Sequence, residues 1–448
     1  MNDTICAIST ALGVGAISII RMSGDESLNI INQIFKGRKL TTDSHKTITY
    51  GNIVYKNEII DEVLVTTMIG PKSYTCEDVI EINCHGGIAT TRKILNILLE
   101  LGCRLAEKGE FTKRAFLNGR IDLTKAEAVN DLLLAETDNK RKLALNSMKG
   151  LLYNKIKKIR TTLGDLLANI EVNIDFPEYE DNLIITEQMV EETINKVVNE
   201  LNTILKNSNQ NKIIKSGINI ALIGSPNVGK SSLLNSFLDE EKAIVTDIEG
   251  TTRDIIEGKC LLNDIEINFI DTAGIRQTDD LVEQIGVEKS KKAMDIASLI
   301  ILILDGSRNI TLEEQNLINT VDKNKTIIFV NKNDLSPKLE LSTNIPTVYG
   351  NTKSLDGIES LKEKIVEIFN LDKITVDDNS LTSNLRQENL LKESINKFTD
   401  VLNNVGIMPV DMLAIDIKIA WELLGEITGD SYQDELIDIL FKNFCLGK

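Results

Sequence analysis

At 448 residues the chain is too long for one hydrophobic core and calls for about three domains. Its composition, 42% hydrophobic, 26% charged and only 4% aromatic, is that of a soluble helix-rich protein, and its longest apolar run, Leu299 to Leu304, falls far short of the roughly 20 residues of a membrane span. A net charge of −17 argues against nonspecific duplex binding, and six scattered cysteines without a Cys-x-x-Cys pair, with two histidines, exclude a disulfide framework, a zinc ribbon and a His-rich metal site.

Asp3 stands where a signal peptide would have lysines, so the N-terminus reads as that of a mature cytoplasmic protein. Up to about Asn118 short strands and helices alternate. Apolar patterning predicts strands over Ile5 to Ile8, Val14 to Ile20, Thr47 to Tyr55, Glu62 to Met68 and Val79 to Cys84, and helices over Glu26 to Phe35 and Ala89 to Leu101. This is a compact α/β or α+β domain. Arg21, Glu81 and Arg120 stand in or beside its apolar runs, where charge is costly unless paired or bound. An Arg21–Glu81 ion pair and a ligand site both account for them. His85 reads as structural.

From Ile121 the period becomes helical. Thr124-Lys125-Ala126-Glu127 has the form of a capping box, and Leu152, Ile156, Ile159, Leu163, Leu166 and Ile170 form a seam that Pro177 ends. Between Lys140 and Arg160 lie eight basic residues and no acidic one, a local RNA-facing surface or a solvated helix face. A helix from Glu187 to Leu205 leads through a polar linker, Lys206 to Lys215, into the next domain.

There the strand Ile220-Ala221-Leu222-Ile223 runs into Gly224-Ser225-Pro226-Asn227-Val228-Gly229-Lys230-Ser231-Ser232, a phosphate-binding P-loop. Its glycines let backbone N–H groups point at phosphate oxygens; Lys230 is expected to reach the β and γ phosphates and Ser231 to ligate Mg²⁺. Gly250-Thr251-Thr252-Arg253-Asp254 supplies a switch threonine, Thr252, for Mg²⁺, and Asp271-Thr272-Ala273-Gly274 a carboxylate for its shell. In Asn331-Lys332-Asn333-Asp334 the last carboxylate matches the guanine N1-H and 2-amino edge. The order and spacing define a GTPase domain, with expected contacts at Asn227, Val228, Gly229, Lys230, Ser231, Ser232, Thr246, Asp247, Ile248, Glu249, Gly250, Thr251, Thr252, Asp271, Thr272, Ala273, Gly274, Asn331, Lys332 and Asp334. Helices resume over Leu381 to Leu402, Asp411 to Thr428 and Asp434 to Phe444, so the GTPase domain reads as inserted into a helical domain built from both flanks, with Cys445-Leu446-Gly447-Lys448 as an exposed tail.

The ensemble resembles the tRNA-modification GTPase family called MnmE or TrmE over its whole length. The resemblance rests on Asp3-Thr4-Ile5, Ile20-Arg21-Met22-Ser23-Gly24, His85-Gly86-Gly87, the segment Gly109 to Asn118, Asp122-Leu123 with Ala126-Glu127-Ala128, the GTPase motifs and the tail. Leu446 replaces a more usual Ile, and Asn351-Thr352-Lys353 stands where Ser-Ala-Lys is usual in the guanine loop.

The resemblance implies a multidomain α/β protein: a tetrahydrofolate-binding and dimerisation domain at 1–118, a discontinuous helical domain at 119–212 and 376–448, and an inserted GTPase domain at 213–375. It implies a homodimer, the FAD-dependent partner MnmG (GidA) in a heterotetramer, and tRNA as substrate, modified at C5 of the wobble uridine. It places Arg21, Glu81, Arg120 and Lys448 at the folate, and K⁺ at Asn227 with oxygens of Thr246, Ile248 and Thr251. With apolar Ile275 after the Asp271 motif, it assigns the attacking water to Glu283, and it gives Cys445 a chemical role. A ribosome-assembly or RNA-binding GTPase that switches without modification chemistry is the alternative.

Overall fold

The computed structural model describes residues 3–175, 186–240, 256–270, 293–335, 338–378, 380–381, 383–431 and 434–447. The chain divides into two compact units, one of Met1–Leu134, Ser147–Leu205 and Ser383–Lys448, the other of Ala135–Asn146 and Lys206–Thr382. The multidomain α/β class expected from the sequence is what is observed.

In the first unit the chain runs β1 (Ile5–Ile8), β2 (Gly15–Ser23), α1 (Ser27–Ile34), β3 (Phe35–Gly37), β4 (Thr47–Tyr55), β5 (Glu58–Met68), β6 (Val79–Gly86), α2 (Ile88–Glu100), β7 (Arg104–Leu105), α3 (Glu110–Leu117) and α4 (Leu123–Leu133). The strands make one sheet in the order β3-β4-β5-β6-β2-β1-β7. Alternation sends Ile20, Met22, Ile53, Val63, Val65, Ile80 and Ile82 into a core closed by Ile30, Ile31 and Ile34 of α1 and Ile94, Ile97 and Leu98 of α2. The opposite face leaves Ile17, Ile48, Tyr50 and Leu64 exposed. β2 runs three residues past its expected end, so Arg21 lies within the strand, directly across from Glu81.

Local chemistry corrects two expectations. α4 is capped by Asp122, whose side chain accepts from the Lys125 N–H at 3.0 Å, and not by a box at Thr124. After α5 (Asp138–Met148) and α6 (Leu151–Asp175), the linker expected at Lys206 to Lys215 is the second half of one helix, α7 (Glu187–Ser216). Its inward stripe there is Ser208, Asn211 and Ile214, and the Asn211 amide donates to the Leu381 carbonyl at 2.7 Å. A buried stripe in which two of three residues are polar shows no apolar period, which is why this stretch reads as a linker in sequence.

The second unit contains β8 (Ile218–Ile223), α8 (Lys230–Glu240), β9 (Ile256–Leu262), β10 (Ile265–Ile270), β11 (Leu299–Asp305), α9 (Leu312–Thr320), β12 (Thr326–Asn331), β13 (Thr347–Tyr349) and α10 (Ile358–Phe369). Its sheet order is β13-β12-β11-β8-β10-β9, parallel except for the β9–β10 pair. Parallel strands covered on both faces need unbroken apolar runs. Accordingly Ile220, Leu222, Ile301 and Ile303 face one core while Ala221, Ile223, Ile300 and Leu302 face another. Residues 135–146 join this unit: Leu143 enters its core, and the Asp264 carboxylate accepts from the N–H groups of Asp138 and Asn139, which open α5. The chain then returns to the first unit as α11 (Leu385–Asn404), α12 (Val410–Thr428) and α13 (Asp434–Phe441). There α12 packs on α6, with the Trp421 indole N–H donating to the Arg160 carbonyl at 3.0 Å.

One buried charge cluster ties the first unit together. The Arg114 guanidinium, 1% exposed, donates to the Asp3 carboxylate at 2.7 Å and its carbonyl at 2.9 Å, to both Glu77 oxygens and to Glu110 at 3.0 Å. Arg104 also bonds Asp3 and Glu110. Burial pushes the Glu110 carboxyl up, but Arg104, the Glu107 N–H and Arg114 outweigh it, and its pKa lies below the ordinary value. Asp3 is lowered in the same way, burial being outweighed by Arg104 and Arg114.

A carboxylate with a depressed folded pKa adds stability that is complete above its unfolded pKa and lost as pH falls through the folded value. The first unit is therefore expected to weaken as pH drops below about 4, the unfolded carboxylate range. Arg114→Met leaves Glu77 without a guanidinium partner and Asp3 and Glu110 with Arg104 alone, and should cost about 3–5 kcal/mol at pH 7 while flattening this acid limb. Urea unfolding at pH 7 and below, followed by Trp421, the chain's single tryptophan and a residue of the first unit, measures both. A loss below about 1 kcal/mol would show that Arg114 is merely tolerated.

Candidate functional site

In the second unit, β8 ends and the chain turns at Gly224 into a loop that closes at Gly229 before α8 begins at Lys230. The Lys230 ammonium donates to the carbonyls of Gly224 at 2.8 Å and Ser225 at 3.0 Å, so it lies across its own loop. Val228 is buried under the loop; Asn227, at a φ of 62°, and the Ser231 and Ser232 side chains at the head of α8 are exposed.

The side chain that joins this loop to the rest is Asn331, 2% exposed at the end of β12. Its amide donates to the Val228 carbonyl at 2.7 Å and the Thr352 hydroxyl at 3.2 Å. Its oxygen accepts from the N–H groups of Lys332 at 2.8 Å and Thr352 at 3.0 Å. Gly229 is required here, because at a φ of 107° an added Cβ would lie 2.2 Å from the Asn331 amide nitrogen. Lys332 pairs with Asp305 at 2.6 Å, and Asp334 is exposed beside it. Burial pushes the Asp305 carboxyl up, but Lys332 and Ser307 outweigh it and hold the pKa below the ordinary value. The substituted guanine loop keeps its connection: Thr352 offers a hydroxyl as well as its N–H to Asn331, and Asn351 accepts from the Lys353 N–H at 2.9 Å. Asp305 also belongs to this arrangement and no sequence motif singled it out, whereas Thr352 stands out in the sequence only as a departure in the guanine loop.

Thr246, Asp247, Ile248, Glu249, Gly250, Thr251, Thr252, Asp271, Thr272, Ala273, Gly274 and Glu283 lie outside the described residues, as does Lys448.

A second constellation lies in the first unit. Arg21 and Glu81 form the cross-strand ion pair at 2.7 Å. The Arg21 guanidinium also lies 5.5 Å from the ring of Tyr74, and Arg120 lies 4.8 Å from the same ring while donating to the Tyr74 carbonyl at 3.1 Å. Two guanidinium groups thus flank one aromatic ring. Tyr74 is held by its hydroxyl against Thr112 at 2.9 Å, and its loop by Thr75 on Ser23 and by Glu77 on Arg114. Tyr74 was not foreseen, because nothing in a loop sequence signals a ring placed between residues 21 and 120.

The tail exposes Cys445 and Leu446, as expected, but is docked through its backbone. Phe444 packs with Phe116, Leu123, Ile437 and Phe441, and the Gly109 N–H donates to the Cys445 carbonyl at 3.1 Å. The Gly447 carbonyl accepts from Ser9 at 3.0 Å and Arg21 at 3.4 Å. Gly447 has a φ of 84°, and a Cβ there would meet the Ile8 carbonyl oxygen at 2.4 Å. The Cys445 thiol itself is exposed.

Residues 4–120 match the family described as the GTP-binding protein TrmE N-terminus, and residues 123–445 that described as the MnmE helical domain. The chain is 46% identical over 456 residues to the tRNA modification GTPase MnmE of Lactiplantibacillus plantarum, covering 100% of this chain and 98% of that one. It is 48% identical over 455 residues to the tRNA modification GTPase MnmE of Ligilactobacillus salivarius, with the same coverage. Among solved structures, the G domain of the T. maritima FeoB iron transporter is 27% identical, covering 34% of this chain and 98% of that one with a TM-score of 0.26.

Asn331→Ala removes four hydrogen bonds and strands buried groups on three loops, each worth about 1–3 kcal/mol. GTP binding by isothermal titration is expected to weaken at least tenfold, roughly 1.4 kcal/mol. A dissociation constant within about twofold of the parent chain's would deny Asn331 this organising role.

Proposed function

The chain belongs to the MnmE family of tRNA-modification GTPases, and from that membership we propose a GTP-hydrolysing enzyme whose cycle drives modification at C5 of the tRNA wobble uridine. The finer reading is the addition of an aminomethyl or carboxymethylaminomethyl group from a tetrahydrofolate one-carbon unit, in a heterotetramer with the FAD-dependent MnmG protein. The observation that carries it is that Arg21 meets Glu81, the Tyr74 ring and the tail's Gly447 carbonyl while Arg120 lies against the same ring, in a chain similar to MnmE proteins over its full length.

The residues fit a folate. Glu81 offers a carboxylate to an amino–imino edge, the two arginines suit carboxylates, and Tyr74 supplies an aromatic face. When bound, the folate supplies the one-carbon unit; the chain's own residues orient it, and Cys445 presents a thiol at the docked tail. The exposed row Ile17, Ile48, Tyr50 and Leu64 supports assigning homodimerisation to the open sheet face, for which sedimentation of a Leu64→Asp variant is the check.

In the second unit, Lys230 and the loop N–H groups are assigned to GTP phosphates, and Asp334 to guanine. The Ser231 hydroxyl and the Asn227 amide, both exposed at the loop, are oxygen donors of the kind Mg²⁺ and K⁺ take, with Thr252 joining the first and Thr246, Ile248 and Thr251 the second. Glu283 is assigned to the attacking water.

Turnover measured in K⁺ and in Na⁺ tests these roles together. The parent chain should be faster in K⁺, Asn227→Ala should lose that response, and Glu283→Ala should bind GTP while losing on the order of 10² in rate. Equal rates in both cations, or a Glu283→Ala protein of normal turnover, would be incompatible with them.

Nucleoside analysis of tRNA tests the modification. Cells lacking the protein should lack the modified wobble uridine, and cells carrying Cys445→Ser should also lack it while GTP hydrolysis persists, because the tail docks through the Cys445 carbonyl and not its thiol. Normal nucleosides with Cys445→Ser would remove the thiol from the mechanism.

A further inference from the structure

The run from Lys140 to Arg160 contains eight basic residues, but the fold engages most of them. Lys140 pairs with Glu266, and Arg141 and Lys142 pair with Asp138. Arg160 is buried, 4.2 Å from the Trp421 ring and paired with Asp430. Lys157 lies 5.6 Å from the Tyr153 ring, and Lys149 is also engaged. Lys155 and Lys158 remain exposed on α6, three residues apart on one face, with no ion-pair partner among the described residues. They are joined by Lys196 of α7, likewise exposed and without such a partner, around a groove of about 650 Å³ within the first unit. Asn199 and Thr203 line the groove between the lysines, and Glu200 is the one carboxylate there among the described residues, against three ammonium groups.

We propose that this groove between α6 and α7 holds the phosphate backbone of the tRNA substrate, a proposal that rests on the tRNA reading above. Three like charges around one hollow repel one another until an anion enters. In a chain of net charge −17, a locally positive hollow is where a polyanion is accepted. Lysine stems adapt to successive phosphates, and the Asn199 amide and Thr203 hydroxyl suit phosphate oxygens and ribose hydroxyls. Among the described residues no aromatic side chain lines the groove, whereas the energetic centres of protein–protein contacts are enriched in them. The groove therefore positions the RNA without reading its bases.

The test uses the full chain with Lys155→Gln, Lys158→Gln and Lys196→Gln combined, and a control variant neutralised at the exposed Lys36, Lys39 and Lys93. Filter binding of tRNA across roughly 50–200 mM KCl should show the groove variant at least about tenfold weaker, its log–log salt slope smaller by about two to three. The control variant should keep the parent slope, and GTP turnover without tRNA should be unchanged in both. Parent-like affinity and slope in the groove variant, or an equal loss in the control, would overturn the proposal, as would a variant that keeps RNA binding but loses an acidic protein partner. Nucleoside analysis separates this from the function itself. Hypomodified wobble uridine in cells carrying only the groove variant supports the groove, whereas normal wobble uridine in cells lacking the protein overturns the modification reading and the groove's substrate together.

Discussion

A guanidinium that cannot give up its proton, buried among three carboxylates, is the constraint on which the first unit depends. Arg114 reaches residues from three separate stretches, Asp3 before β1, Glu77 before β6 and Glu110 on its own helix. Glu77 and Glu110 are largely buried and would be costly to leave unpaired, and half-exposed Asp3 is held between Arg114 and Arg104, so each segment is held where its charge is matched. The loop before β6 is thereby fixed, and with it Tyr74, whose ring lies by the guanidinium groups of Arg21 and Arg120. The folate reading thus depends on a salt-bridged cluster that touches no ligand itself.

The second unit reaches a similar end with a neutral group. Asn331 has two donors and an acceptor with two lone pairs, and its four bonds join the phosphate loop, the strand end after β12 and the guanine loop. An amide can do this inside a parallel sheet edge without the desolvation cost of a charge. The glycine at 229 follows from it, since the same close approach that makes the bond to Val228 leaves no room for a Cβ. Thr352, a departure from the family's usual alanine, adds a hydroxyl to this joint.

The docked tail shows how a chain end becomes part of a site. Phe444 supplies apolar anchorage, the Cys445 carbonyl takes a backbone donor, and Gly447 passes under Ile8 where no side chain fits. Composition alone describes the last residues as a frayed terminus; three contacts of different kinds, each modest, make them a fixed edge of the Arg21 neighbourhood.

Much was readable in advance. Five of the seven strands of the first sheet, β8, the phosphate loop and the seam of α6 follow from periods of two and of 3.6 residues and from glycine spacing, all set by neighbours along the chain, whereas β3, β7, β9 and β13 carry no such signal. The second half of α7 was not readable, because its buried stripe is Ser208 and Asn211, nor was the α4 cap, where Asp122 takes the place of the box at Thr124. The choice between ion pair and ligand site for Arg21 and Glu81 also stayed open until the register set them opposite each other beside Tyr74. Nor did the basic run indicate which lysines remain free, since that depends on Asp138, Glu266, Trp421 and Asp430. Sequence by itself determined most of the longer elements, the nucleotide loop and the family; tertiary structure alone decided the convergence of residues 21, 74, 81, 120 and 447. The physical reason is that an element's pattern is written in residues a few positions apart, whereas a site's charges and rings meet only when sheet register and chain return have placed them.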